Sequence, residues 1–381
     1  MIVAAADWFF WKRFATLPIK HMVTAVEWYS PREAVAGAAG VALSPIPAAE
    51  RTIASAALAS ALAYAQQRPT VALLVMHSGR IELEYYGTGY SAASYTDSQS
   101  MHKSVLALLL GQAIADGKIG SVNDPIGRYL PEWAHDRRGA IRIRDLLHMS
   151  SGLAQAAQSL NPFSSAMQLF LGTARRAKLM RTALAGTPDS VFDYNPINSE
   201  LLGLIIESAT GRRYAQYLSE RLWQPLQAGT AYLWLDQPGG VPHTACCLQA
   251  TARDWLRLGA LIANRGYVGD REVVPARWLE EMQRSSDHNP NYGYQIWLGR
   301  SFTPARTYTP ASNFKAFHSA PFLAPDVAYF DGSGGQRVYI VPSLQLVIVH
   351  TGEATRDWDD AFLPNTLIRG LTPPLQPGRS E

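Results

Sequence analysis

Apolar and polar positions along the chain fall into distinct regimes. Over residues 47–67, "PAAERTIASAALASALAYAQQ", alanine and leucine dominate with no internal glycine or proline, which predicts a helix. Next, "TVALLVMHSGRIELEYYG" holds two β-type runs, Val71–His77 and Arg80–Tyr86, around Ser78-Gly79, the signature of a hairpin. The pattern returns near the other terminus in "GGQRVYIVPSLQLVIVHTG", with strands expected at 336–341 and 345–350 around Pro342-Ser343. The two ends of the chain are therefore expected to share one antiparallel sheet. Between them, over 98–285, helical stretches dominate: "SVLALLLGQAIADG", "IRDLLHMSSGL", "SAMQLFLGTARRAKLMRTAL", "SELLGLIIESATGRRYAQYLSERLW" and "ATARDWLRLGALIANRG". The segment 301–325, with Pro304, Pro310, Pro321 and Pro325, lacks clean periodicity and reads as a long surface loop. The pattern predicts an α+β chain: an N-terminal extension over 1–45, a sheet lobe with flanking helices from 46–97 and 286–381, and a helical lobe inserted at 98–285.

Composition narrows the function classes. A chain of 381 residues, 47% hydrophobic and 17% charged, can bury a substantial core. Its 34 basic and 31 acidic residues leave +3, with no run of five or six like charges, so nucleic acid is not an expected partner. The apolar stretch Val105–Leu110 stops at Gly111-Gln112, far short of the roughly 18 residues of a membrane span, so no transmembrane helix is expected. The start places apolar residues before Lys12 and Arg13, the reverse of a secretory signal, which points to the cytoplasm. The aromatic cluster Trp8, Phe9, Phe10, Trp11 reads as packing against the body of the protein in preference to a membrane surface. Cys246 and Cys247 are adjacent, so they cannot staple distant segments, lack metal-site spacing and read as free thiols.

The candidate chemistry lies in "SQSMHKSVLALLLGQAIADG", residues 98–117. A serine hydroxyl is a poor nucleophile unless a base lies within hydrogen-bond reach. Residues three apart share a helix face, and of Ser98, Ser100 and Ser104 only Ser100 has a lysine at that offset, Lys103. Ser312 and Lys315 repeat the spacing, but in the proline-rich segment, where a lysine stays solvated and cationic. Ser100 instead opens an all-round apolar helix, whose burial lowers a lysine pKa and whose N-terminus offers free N–H groups. Ser98 then reads as a cap and Ser104 as packing. His102 lies on a different face from Ser100 and reads as packed or solvent-facing, and His148 as part of a structural turn. No His-Glu-x-x-His pattern, Walker loop or complete Gly-x-Gly-x-x-Gly occurs, so neither a metal nor a cofactor is expected.

Together these residues resemble the serine hydrolases that share the fold of class C β-lactamases and penicillin-binding proteins, for which Ser-x-x-Lys is a signature. "GKIGSVNDPIGRYLPEW", "IRIRDLLHMSSGL", "FDYNPINSELLGLIIESATG", "CCLQATARDWLRLGALIANRG" and "DGSGGQRVYIVPSLQLVIV" resemble family landmarks in the expected order over residues 65–355. Within that superfamily the chain is most similar to the 6-aminohexanoate-dimer hydrolase branch. The resemblance implies a β-lactamase-like fold with the active site between the sheet and helical lobes. It also implies Tyr194 as the tyrosine of the Tyr-x-Asn box, whose third place here is Pro196. Asn198 is left as a weak substrate contact, or as a capping or turn residue before the helix. The lysine-threonine-glycine strand of lactamases has Phe330-Asp331-Gly332 as its counterpart, with no cation. The resemblance assigns the oxyanion hole to the amides of Ser100 and Ser333, with Gly334 as the alternative by a one-residue slip, and lets Gly332 and Gly334 bring the strand close to the substrate.

The expected function is hydrolysis of a small-molecule amide or ester through an acyl-enzyme on Ser100, with Lys103 as base and Tyr194 as proton relay. A β-lactamase or D-Ala-D-Ala carboxypeptidase is disfavoured by Pro196 and the missing lysine. A catalytically silent binding module is disfavoured because Ser100, Lys103 and Tyr194 are all present.

Overall fold

The computed structural model describes residues 7–40, 43–156, 159–309, 315–355 and 357–371. A six-stranded antiparallel sheet runs in the order Arg80–Tyr86, Thr70–His77, Leu346–Gly352, Gln336–Val341, Ala328–Gly332, Trp297–Leu298. Strands from early and late in the sequence are thus neighbours, with Ile348 opposite Val75. Ser78 and Gly79 both take positive φ, 50° and 77°, which matches the twist of a tight hairpin. The central strands read as nearly continuous apolar runs because both faces are covered. Leu73, Val75 and Ile348 pack with Leu58 and Leu363 of the helices Ser55–Gln66 and Phe362–Gly370. Leu74, Val338 and Val347 face the opposite core, which includes Leu256 and Leu258 of the helix Ala252–Ala263.

The helix His102–Ala115 is buried on every side except at its C-terminal end. It packs beside the helix Pro196–Thr210, whose N-terminus is capped by the Asn195 side chain, with Pro196 in the first turn. A smaller sheet, in the order Arg32–Val35, Ala231–Trp234, Leu248–Thr251, Tyr95–Asp97, delivers the chain to that helix. The N-terminal segment is sewn into the molecule: it supplies an edge strand, and buried Arg13 donates to the carbonyls of Leu171 (2.6 Å), Ser30 (2.7 Å) and Asp236 (3.0 Å). Phe10 is buried and Trp11 half-buried, while Trp8 stays exposed. No helix among the described residues is long and apolar enough to cross a membrane.

Three local expectations need correction. The helix expected over 47–67 begins only at Ser55, preceded by a single 3-10 turn at Ala48–Glu50. The Thr52 N–H and hydroxyl are drawn to the Glu82 carboxylate at 3.0 and 2.6 Å, which keeps the chain out of a helix there. The stretch 165–184 breaks into Ser165–Leu171 and Arg175–Leu179, because Thr173 bonds the Asp7 carboxylate and the Arg175 N–H bonds that of Asp236. The segment 301–325 is not all loop: Ala305–Thr307 pairs with Lys315–Phe317, and Arg306 is buried.

Candidate active site

Strand Tyr95–Asp97 ends in a 3-10 turn, Gln99–Met101, that runs straight into the helix His102–Ala115. Ser100 therefore sits in a first turn, where backbone N–H groups have no intrahelical acceptor. Lys103 lies one turn on, 2% exposed, with its Nζ donating to Ser100 Oγ at 2.9 Å and to the Ala245 carbonyl. Burial lowers the Lys103 amine to about 7, although the Glu200 and Asp331 carboxylates work in the other direction. The Tyr194 hydroxyl hydrogen-bonds with Ser100, and its ring centroid is 5.1 Å from Lys103 Nζ. Burial, with Asp331 nearby, pushes the phenol well above its usual range, so it is a neutral donor.

The third wall is the end of strand Ala328–Gly332. A Cβ on Gly332 would fall 2.6 Å from the Ser98 carbonyl oxygen, so only glycine lets this strand approach the serine turn so closely. Beyond it Ser333 is exposed and Gly334 takes a φ of +82°. An ionic quartet anchors the strand end. Arg306 Nη2 donates to Asp331 at 2.6 Å and Asp360 at 3.2 Å, and Arg337 reaches Asp331 and Asp360 at 2.7 Å each. Burial alone would raise the Asp360 carboxyl, yet Arg337 and Arg306 hold it at about 2. The Arg306 guanidinium also lies 3.8 Å from the Trp297 ring centroid, and Trp297, Tyr292 and Tyr308 surround Tyr194. The sequence reading missed Arg306. The available signal was Asp331 and Arg337, charges inside otherwise apolar strands that lie opposite each other in register.

Behind Lys103, the buried Glu200 carboxylate pairs with Arg175 at 2.7 Å and accepts the N–H groups of Thr244 (3.0 Å) and Ala245 (3.1 Å). Glu200 thereby fixes the carbonyl that holds the lysine. The next residues correct an expectation: Cys246 and Cys247 are joined in a disulfide. In an extended chain adjacent side chains diverge, but Cys247 takes a φ of +73° and breaks that alternation. His243, Cys246 and Cys247 bring three potential metal-ligand atoms within 4.8 Å, with both sulfurs engaged in the disulfide.

Other expectations resolve plainly. His102 is buried, bonded to the Cys246 carbonyl and the Tyr214 hydroxyl. Ser104 donates to the Gln295 carbonyl at 2.7 Å. Ser98 makes no side-chain cap; its Oγ accepts the Leu248 N–H at 3.1 Å and ties two segments together. Asn198 is not brought to the cleft. Its Oδ1 accepts from Ser151 at 2.5 Å and its amide meets Met149 Sδ at 3.4 Å, so its contacts are those of a core residue. Ser312 lies outside the described residues, while Lys315 is exposed.

Comparison with known proteins agrees with this architecture. The Beta-lactamase family model matches residues 54–361. The 6-aminohexanoate-dimer hydrolase of Paenarthrobacter ureafaciens is 27% identical over 259 residues, 62% of this chain and 64% of that protein. Protein flp of Staphylococcus aureus strain MW2 is 26% identical over 171 residues, 42% of this chain and 34% of that protein. The matched region thus spans less than two thirds of either relative. A solved Bacillus anthracis structure named for 6-aminohexanoate-dimer hydrolase superposes with a TM-score of 0.70 at 19% identity, covering 94% of this chain and 92% of that one. A family VIII carboxylesterase gives 0.64 at 14% identity, covering 84% and 99%. These two structures show the fold, β-lactamase-like and α+β. The family match adds the hydrolase superfamily, and because it extends over most of the sequence, the chain belongs to the Beta-lactamase family.

Proposed function

We propose that the chain is a serine hydrolase that cleaves small amides or esters through an acyl-enzyme on Ser100. The observation that carries this reading is the 2.9 Å contact between the Ser100 hydroxyl and a buried Lys103 amine held at about 7, which can be neutral at working pH. In the first step Ser100 Oγ bonds to the substrate carbonyl carbon while Lys103 Nζ takes the hydroxyl proton. The N–H groups of Ser100 and Ser333 hold the oxyanion. Tyr194 donates a proton to the departing amine or alcohol and is reprotonated by Lys103. Water then attacks the acyl carbonyl, gives its proton back through the same pair, and releases the acid and free Ser100.

Amide and ester substrates are favoured over β-lactams by Pro196 in the tyrosine box and by Phe330 at the place where lactamases carry the lysine. The names of two neighbours, a 6-aminohexanoate-dimer hydrolase and a carboxylesterase, point the same way. Incubation with a fluorophosphonate, a p-nitrophenyl ester, a linear ω-amino-acid amide and a chromogenic cephalosporin tests the reading. A fluorophosphonate adduct on Ser100 and turnover of the ester or amide are expected. Absence of any adduct at Ser100 would overturn it, and cephalosporin turnover matching the ester would move the reading to a lactamase.

Tyr194→Phe removes the relay without its ring. It is expected to lower kcat on the amide on the order of 10²-fold, with KM within about threefold. A steady-state comparison checks this, and the loss should be smaller for a p-nitrophenyl ester, whose leaving group needs no proton.

A further inference from the structure

The turn that carries Ser100 is held by a carboxyl group that the proposed mechanism does not use. Gln99, immediately before Ser100, has a φ of +48°. That is the left-handed region, which disfavours residues with a Cβ and is visited mainly by glycine, asparagine and aspartate. Both hydrogen-bonding arms of Gln99 close on one atom: its backbone N–H donates to Asp97 Oδ1 at 2.8 Å, and its side-chain Nε2 at 3.0 Å. Asp97 is itself fixed, 1% exposed, with its N–H on the Val23 carbonyl at 2.9 Å and its backbone paired with Gln249 across the small sheet. Its second carboxyl oxygen has no hydrogen-bond partner among the described residues.

An oxygen buried without a partner is costly, so a carboxyl at this point needs a compensating role. Burial pushes it up to about 7, against the two Gln99 bonds that pull it down. On the other side Ser98 is clamped, its N–H on the Leu248 carbonyl at 3.0 Å and its Oγ on the Leu248 N–H at 3.1 Å. With strand and Ser98 fixed, the φ of Gln99 sets the direction in which the next residue leaves the turn. That residue supplies both the hydroxyl held by Lys103 and an N–H at the start of the helix. Rotation of Gln99 into the right-handed or extended region would turn Ser100 away from Lys103 and Ser333.

We propose that Asp97 is a positioning residue for acyl transfer: it latches Gln99 in the left-handed conformation and so aims the hydroxyl and amide of Ser100. The inference rests on the reading of Ser100 as the nucleophile. It predicts that the latch is dispensable when residue 99 adopts positive φ without cost, as glycine does.

A double-variant cycle on the full chain tests this. Asp97→Ala is expected to lower kcat on a p-nitrophenyl ester on the order of 10²-fold with KM within about threefold. Gln99→Gly alone should stay within about threefold of wild type, and Asp97→Ala made in the Gln99→Gly background should cost no more than about threefold. Asp97→Asn, which keeps the Oδ1 acceptor, should stay within about fivefold of wild type. Thermal unfolding gives a second readout: Asp97→Ala should lower Tm by about 5 °C, and by less than half of that in the Gln99→Gly background. A wild-type kcat in Asp97→Ala, or a double variant as slow as Asp97→Ala, would overturn the latch. If Asp97→Ala does not fold, a folded and active double variant supports it, while an unfolded double variant or a 10²-fold loss in Asp97→Asn overturns it. Were turnover independent of Ser100, the proposed function would fall, and the coupling in Tm would still decide the latch.

Discussion

Ser100→Ala is expected to reduce turnover of amides and esters on the order of 10⁴-fold while leaving the fold intact. The size follows from what remains. Alanine keeps the backbone N–H at position 100, the strand end at Gly332-Ser333 and the Tyr194 hydroxyl, so substrate binding and oxyanion stabilisation survive and only the attacking atom is gone. Stability should hold because, among the described residues, the Ser100 hydroxyl is bonded to Lys103 and Tyr194, and Lys103 retains the Ala245 carbonyl as an acceptor. Alanine is also the better helix former, by a few tenths of a kcal/mol. Steady-state assay with the ester, beside a thermal melt and intact mass after fluorophosphonate, checks the prediction. A variant that keeps activity within about tenfold of wild type would remove Ser100 from the mechanism, since nucleophile loss elsewhere costs far more.

The parts of this molecule that the sequence announced are those fixed by short-range pattern. The runs at 70–86 and 336–350 read as strands because β-type residues dominate them and Ser78-Gly79 and Pro342-Ser343 interrupt them. The contact between Ser100 and Lys103 follows from a three-residue offset on a helix apolar all round, and that apolar surround is also what lowers the lysine pKa. What stayed hidden depends on partners far away in the chain. Arg306 falls in a segment whose pattern reads as loop, and its counter-ions Asp331 and Asp360 lie 25 and 54 residues further on. Gln99 donates twice to the buried Asp97 carboxylate, and Asp97 is itself held by the Val23 carbonyl, 74 residues earlier in the chain. The Cys246–Cys247 pair read as two thiols because nothing in a dipeptide reports the backbone φ of its second residue. That conformation arises where neighbouring carbonyls are claimed by Lys103 and His102. Asn198 was left open between substrate and structure because the tyrosine box fixes where Tyr194 points but not which of the following helix faces is buried.

Lys103→Met should lower kcat/KM on the order of 10³-fold, and the wild-type pH profile should show why. Only a neutral amine can take the Ser100 proton. With the amine at about 7, an ordinary lysine brought down by burial, the neutral fraction falls roughly tenfold for each pH unit below that value. The logarithm of kcat/KM is therefore expected to rise with unit slope from pH 5, bend near 7 and level above it, leaving activity at pH 5 about a hundredfold below the plateau. Were Lys103 only an electrostatic anchor, the cation would be the useful form, and activity would fall as pH rose through the same region. The sign of the slope thus separates base from anchor without any mutation. The variant then assigns it: Lys103→Met fits the same space, removes the titrating amine, and should flatten the limb as well as lower the rate. Its melt should stay within a few degrees of wild type, because losing the bond to the Ala245 carbonyl is offset by no longer burying an amine at the cost of its hydration. A limb that persists unchanged in Lys103→Met would place the titration on another group.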